Sequence, residues 1–186
     1  MSKRYRKKRY SVILAAVLCG IALFCLSYRL IEKKYVYRTP YHDAVRIASK
    51  DYGVSESVIY AVMKSESSFR LTVVSPKGAV GLMQLLPSTA EFIAKKLDEE
   101  YVDGSLLDPA VNIKYGTWYL SYLFAKFSPD AAIAAYNAGE GKVSSWLKNP
   151  KYSSNGKTLD VIPYAETAKY VRRVNKNISK YNKYHG

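Results

Sequence analysis

The chain has 186 residues, 48% of them hydrophobic and 24% charged, which excludes a disordered or collagen-like polypeptide and suits one domain with an appendage. Its 29 Lys and Arg against 15 Asp and Glu give a net charge of +14, yet residues 1–40 hold ten of the basic residues and a single acid, Glu32. The remainder carries only +5, so a nucleic-acid partner is not expected from overall charge.

The first predicted element follows a run of Lys and Arg at residues 3–9. Ser11–Tyr28 contains no charged residue, and eighteen residues of helix reach about 27 Å, close to the thickness of a bilayer core. The reading is a cytoplasmic basic tail over 1–10, a membrane anchor over 11–28 and a linker over 29–39. Six basic residues precede the span, whereas Arg29, Lys33 and Lys34 beyond it are offset by Glu32. That bias predicts a single pass, with the N-terminus cytoplasmic and everything after about residue 30 outside. A cleaved signal peptide is the alternative, but Phe24-Cys-Leu-Ser-Tyr28 offers no small-x-small cleavage site. Lipid attachment at Cys25 is disfavoured by bulky Leu23 and Phe24 before it. Cys19 and Cys25 both lie in the span, so the exported part has no cysteine and no disulfide.

From residue 40 to 186 the sequence predicts one mainly α-helical domain. Thr39-Pro40 opens a helix that stops before Gly53, and Ser55 caps the next, with Val58, Ile59, Ala61 and Val62 inside. Ser88-Thr-Ala-Glu91 has capping-box spacing and predicts a third start. Asp108-Pro109 begins a fourth, with Ile113, Gly116, Leu120, Leu123 and Phe127 in register. Ser128-Pro129 begins a fifth that ends at Gly139. Residues 139–162 read as loop, and Pro163 opens a last helix with Ala168, Val171, Val174, Ile178 and Tyr181 on one side.

For chemistry, His42 and His185 lack companion ligands, so neither a metal site nor a cofactor is expected. No nucleotide or nucleophile-elbow motif occurs. Carboxylates remain as acid/base candidates, and Glu66 breaks pattern by extending the inner stripe Val58–Val62 at the end of the second helix. Burial and the negative helix terminus both raise a carboxyl pKa, as a general acid requires. If the helix ends one residue earlier, Glu66 is an ordinary solvated carboxylate. Ser75-Pro-Lys-Gly-Ala-Val-Gly-Leu-Met-Gln-Leu-Leu-Pro87 suits either a groove-lining loop or a tight helix connection.

Taken in order, Glu66-Ser67-Ser-Phe, Gly81-Leu-Met-Gln84, Ala135-Tyr-Asn-Ala-Gly139 and Pro163-Tyr-Ala-Glu-Thr167 with Tyr170-Val171 resemble the soluble lytic transglycosylase family of bacterial cell-wall enzymes. Leu107-Asp-Pro-Ala-Val-Asn-Ile-Lys-Tyr-Gly-Thr-Trp-Tyr119 resembles that family's central helix, and the likeness covers roughly residues 40–175. The resemblance implies a lysozyme-like fold and cleavage of the β-1,4 bond between N-acetylmuramic acid and N-acetylglucosamine in peptidoglycan, leaving a 1,6-anhydro end. It implies Glu66 as the single catalytic acid/base and Ser67 as a support at the helix end. Ser75, Gln84, Tyr136, Asn137 and Glu166 would bind or line the glycan groove. Leu86 departs from the Met of some relatives. The expected partners are glycan strands and the membrane, with a cell-envelope apparatus left open. A muramidase adding water at the same bond and a non-catalytic glycan-binding module remain as alternatives.

Overall fold

The computed structural model describes residues 3–185, so the first two residues of the expected basic tail lie outside the described residues. Two compact units divide between Arg38 and Thr39. The N-terminal unit is a helix, α1 (Lys3–Ile31), continued by a short π-helical stretch, Glu32–Val36. It is the one described helix long and apolar enough to cross a membrane, over Ile13–Val36, and its apolar side chains from Ile13 to Ile31 are exposed. Cys19 and Cys25 are free thiols on its surface.

The second unit contains α2 (His42–Tyr52), α3 (Glu56–Glu66), α4 (Pro87–Lys96), α5 (Pro109–Lys126), α6 (Pro129–Ala138), α7 (Glu140–Leu147) and α8 (Ala165–His185). No strand occurs among the described residues, although two isolated bridges, Val74 to Val80 and Val80 to Leu85, fold residues 73–86 into a compact loop. The mainly helical class expected from the sequence is therefore found. α3 is the buried axis: Ile59, Tyr60, Ala61, Val62 and Met63 are all enclosed, so it is apolar almost all round. It packs lengthwise against α8, which turns Tyr170, Val171, Val174 and Tyr181 inward; α2 and α6 pack on α5, and α6 packs on α8. Each fully enclosed Leu or Ile stabilises this arrangement by about 1.5–3 kcal/mol.

Local signals explain most boundaries. α2 ends on Gly53 at φ 68°, whose N–H returns to the Ser49 carbonyl at 2.9 Å. Asp108 Oδ1 accepts from the N–H groups of Ala110 (2.8 Å) and Val111 (3.0 Å), and Pro109 occupies the first helical position, where its missing N–H costs nothing.

Four expectations need correction. The first helix of the domain begins at His42, with Tyr41 in a left-handed conformation at φ 58° as its N-cap, rather than at Thr39-Pro40. The capping box at Ser88 and Glu91 does not form, because Pro87 already opens α4 and Leu86 is the N-cap without a side-chain bond. The supposed loop 139–162 contains α7, whose Val143, Trp146 and Leu147 recur at i, i+3 and i+4 and are buried. The last helix begins at Ala165 rather than Pro163.

Candidate active site

Glu66 is the last residue of α3, and the N–H of Ser67 closes the helix on the Met63 carbonyl at 3.1 Å. Its carboxyl is partly buried against α8, where the Tyr170 hydroxyl donates to Oε1 at 2.7 Å. Burial pushes the Glu66 pKa up from 4.5 to about 7, while the Tyr170 hydrogen bond and the Arg173 charge pull the other way. The helix includes Glu66 rather than ending one residue earlier. Burial, and next the nearby Glu66 charge, holds the Tyr136 and Tyr170 hydroxyls well above their ordinary pKa, so both stay protonated donors. Among the described residues no second carboxylate acts on Glu66.

The loop carrying Gly81–Leu85 is pinned from three sides. Ser67 Oγ donates to the Leu82 carbonyl at 2.8 Å, tying the loop to the end of α3. The Tyr136 hydroxyl donates to the Met83 carbonyl at 2.8 Å, tying it to α6. Asn112 of α5 accepts from the Met83 N–H at 2.8 Å and donates to the carbonyls of Val80 (3.0 Å) and Leu106 (2.9 Å). Gly81 must be glycine: its φ is 84°, and a Cβ there would meet the Asn112 amide and lie 2.7 Å from the Leu106 carbonyl. Gly116 plays the matching part on α5, where a Cβ would lie 2.8 Å from Met83 Cβ. Backbone strain collects here too. Ser68, Phe69 and Gln84 hold φ of 53°, 65° and 51°, conformations that persist only where the surroundings over-determine them.

The structure brings Glu66, Ser67, Tyr136 and the Gln84 loop together. Gln84 turns its amide inward, donating to the carbonyls of Val73 and Gly81, both at 2.9 Å. Ser75 Oγ accepts from the Ala79 N–H at 3.0 Å and closes its own turn. Asn137 Oδ1 accepts from the Thr167 hydroxyl at 2.8 Å, joining α6 to the first turn of α8; Glu166, one residue earlier, is exposed. Sequence reasoning missed Tyr170, Arg173 and Asn112 as parts of the site. The available signal was a polar group on an otherwise apolar helix face, since a buried Tyr hydroxyl or Asn amide needs a partner.

A family model for the transglycosylase SLT domain matches residues 43–158. The chain belongs to that family. It is 36% identical over 150 residues to the soluble lytic murein transglycosylase of Salmonella typhimurium, covering 78% of this chain but 23% of that protein. It is 34% identical over 167 residues to the membrane-bound lytic murein transglycosylase C of Edwardsiella ictaluri, covering 77% of this chain and 46% of that one. It thus spans under half the length of these relatives. Among solved structures, the 70 kDa soluble lytic transglycosylase of Escherichia coli superposes with a TM-score of 0.72 at 32% identity, over 84% of this chain and 26% of that one. An inactive mutant of lytic transglycosylase Slt from Pseudomonas aeruginosa, with one Glu changed to Gln, gives 0.70 at 30% identity, over 82% and 25%. The lysozyme-like fold expected of the SLT domain is therefore the one this chain adopts.

Proposed function

We propose that the chain is a membrane-tethered lytic transglycosylase that cleaves the β-1,4 bond between N-acetylmuramic acid and N-acetylglucosamine. The observation that carries this reading is one partly buried carboxyl at the end of α3, held by the Tyr170 hydroxyl and raised by burial to a pKa near 7, in an SLT fold. Near neutral pH a substantial fraction of Glu66 is protonated, as a general acid must be. With Oε1 held by Tyr170, the other carboxyl oxygen delivers the proton to the glycosidic oxygen as its bond to C1 breaks. Glu66, now a carboxylate, takes the proton from the muramic acid 6-hydroxyl as that oxygen bonds to C1. The acid returns to its starting state and no water is consumed. A glycosidase of the ordinary kind needs a second carboxylate as nucleophile or base. Relatives of this chain named lytic murein transglycosylases, and the inactivity of the Glu-to-Gln Slt mutant, support the assignment.

Ser67, Tyr136 and Asn112 act here as positioning residues that hold the Gly81–Leu85 loop beside the acid. The loop of Ser75 and Gln84, with Asn137 and exposed Glu166, lines the glycan path, and the Gln84 amide braces that loop from within. The apolar helix and its basic flank anchor the chain once in the membrane, N-terminus inside and catalytic domain outside. The test is mass spectrometry of fragments released from purified peptidoglycan by the full-length protein in detergent. Fragments ending in anhydromuramic acid, one water lighter than reducing ends, support the reading; reducing ends move the answer to a hydrolase.

A further inference from the structure

α8 carries six cations on its outer side: Lys169, Arg172, Arg173, Lys176, Lys180 and Lys183. At about 100° per residue they fall within an arc of roughly 100°, and at 1.5 Å per residue they extend over about 21 Å. All are exposed except Lys180, which is partly so. Among the described residues no carboxylate lies in ion-pair distance of Lys169, Arg172, Arg173, Lys176 or Lys183. The acids nearby are placed elsewhere: Glu66 is held by Tyr170, Asp130 of α6 accepts from Asn175 on the flank, and Glu166 precedes the stripe by a turn.

Like charges at i, i+3 and i+4 along one helix face repel one another and lower stability. The apolar side of α8 is committed to the core through Tyr170, Val171, Val174 and Tyr181, and no large hydrophobic side chain of this helix is exposed. An interfacial membrane helix needs apolar residues to insert, so this face offers charge alone. One end of the stripe lies at the catalytic carboxyl, because Arg173 acts on Glu66 and sits 5.5 Å over the Tyr170 ring.

We propose that this face binds a linear polyanion of the cell wall, a polyol-phosphate polymer with one charge per short repeat, and so holds the enzyme on its substrate. The choice of a wall polymer over a nucleic acid rests on the exported location argued above. A row of six cations spread over about 21 Å of the axis, with gaps of about 1.5–6 Å, matches a flexible chain of monoanions better than any single anion.

The test measures binding of fluorescent poly(glycerol phosphate) to the full-length protein in phosphatidylcholine nanodiscs. The variant is the triple substitution Arg172→Gln, Lys176→Gln and Lys183→Gln, which leaves Arg173 beside Glu66 intact and preserves helix propensity. Binding by the native protein that weakens with salt, and a loss of about tenfold or more in the triple variant, support the proposal. A charge-keeping control, Arg172→Lys with Lys176→Arg and Lys183→Arg, retains binding. Muropeptide release from phosphate-stripped peptidoglycan stays unchanged in the triple variant, so loss of anchoring and loss of catalysis are read separately. Three results overturn the proposal: native-like binding by the triple variant, tighter binding of a single-stranded DNA oligonucleotide than of the polymer, or loss of polymer binding when phosphatidylglycerol in the nanodisc occupies the stripe.

Discussion

Replacing Glu66 by Gln abolishes acid/base function and also changes how stability depends on pH. The folded protein holds the Glu66 proton up to about pH 7, whereas the carboxyl of the unfolded chain loses it near 4.5. Between these values the folded state binds a proton that the unfolded state has released, so native stability falls as pH rises through this window. Each tenfold difference in proton affinity is worth about 1.4 kcal/mol, so above pH 7 the ionised side chain weakens the fold by about 3 kcal/mol relative to its neutral form. Gln keeps the shape and an acceptor for the Tyr170 hydroxyl but cannot ionise. Glu66→Gln and native protein therefore melt together near pH 4.5 and separate toward pH 8, where the variant melts about 6–12 °C higher. Thermal melts of the full-length proteins in detergent, followed by circular dichroism across that range, provide the comparison. A melting difference independent of pH, or a variant less stable at pH 8, would refute the argument that burial holds this carboxyl protonated.

Tyr170→Phe removes the hydrogen bond that favours the Glu66 carboxylate, so its pKa rises further and the alkaline limb of the pH–rate profile moves upward; an unmoved or downward-moved limb counts against the geometry. Asn112→Ala leaves the Met83 N–H and the carbonyls of Val80 and Leu106 without their side-chain partner. It should destabilise by about 2–4 kcal/mol in denaturant titration, and a change within about 0.5 kcal/mol would show that the loop holds without it. Gly116→Ala drives a Cβ into the Met83 side chain and should destabilise by about 1–3 kcal/mol, with partial rescue by Met83→Ala.

Helix starts were legible where a single residue governs the backbone. Asp108-Pro109 marks α5 because a carboxylate can cap two N–H groups and proline lacks the one it would leave unpaired. Gly53 and Gly139 mark ends for a similar reason, with φ of 68° and 96°. α7 escaped because glycines and serines around Val143 and Trp146 outweighed a stripe only eight residues long. In the site, Glu66 stood out as a carboxyl on a buried stripe. Its partners did not, because Tyr170 lies 104 positions away and periodicity reports which face is inside, not which hydroxyl meets which carboxyl. Gln84 was legible as a residue of a special loop. That its amide braces the loop from within follows only from the left-handed turn it occupies.

The most direct test of the single-carboxylate mechanism is digestion of purified peptidoglycan in 18O-enriched water, with native protein and Glu66→Gln compared by mass spectrometry. The account predicts anhydro-ended muropeptides free of 18O from the native protein, and release slowed by about 10²–10⁴-fold or more in the variant. Reducing ends carrying 18O, or undiminished release by Glu66→Gln, would contradict it.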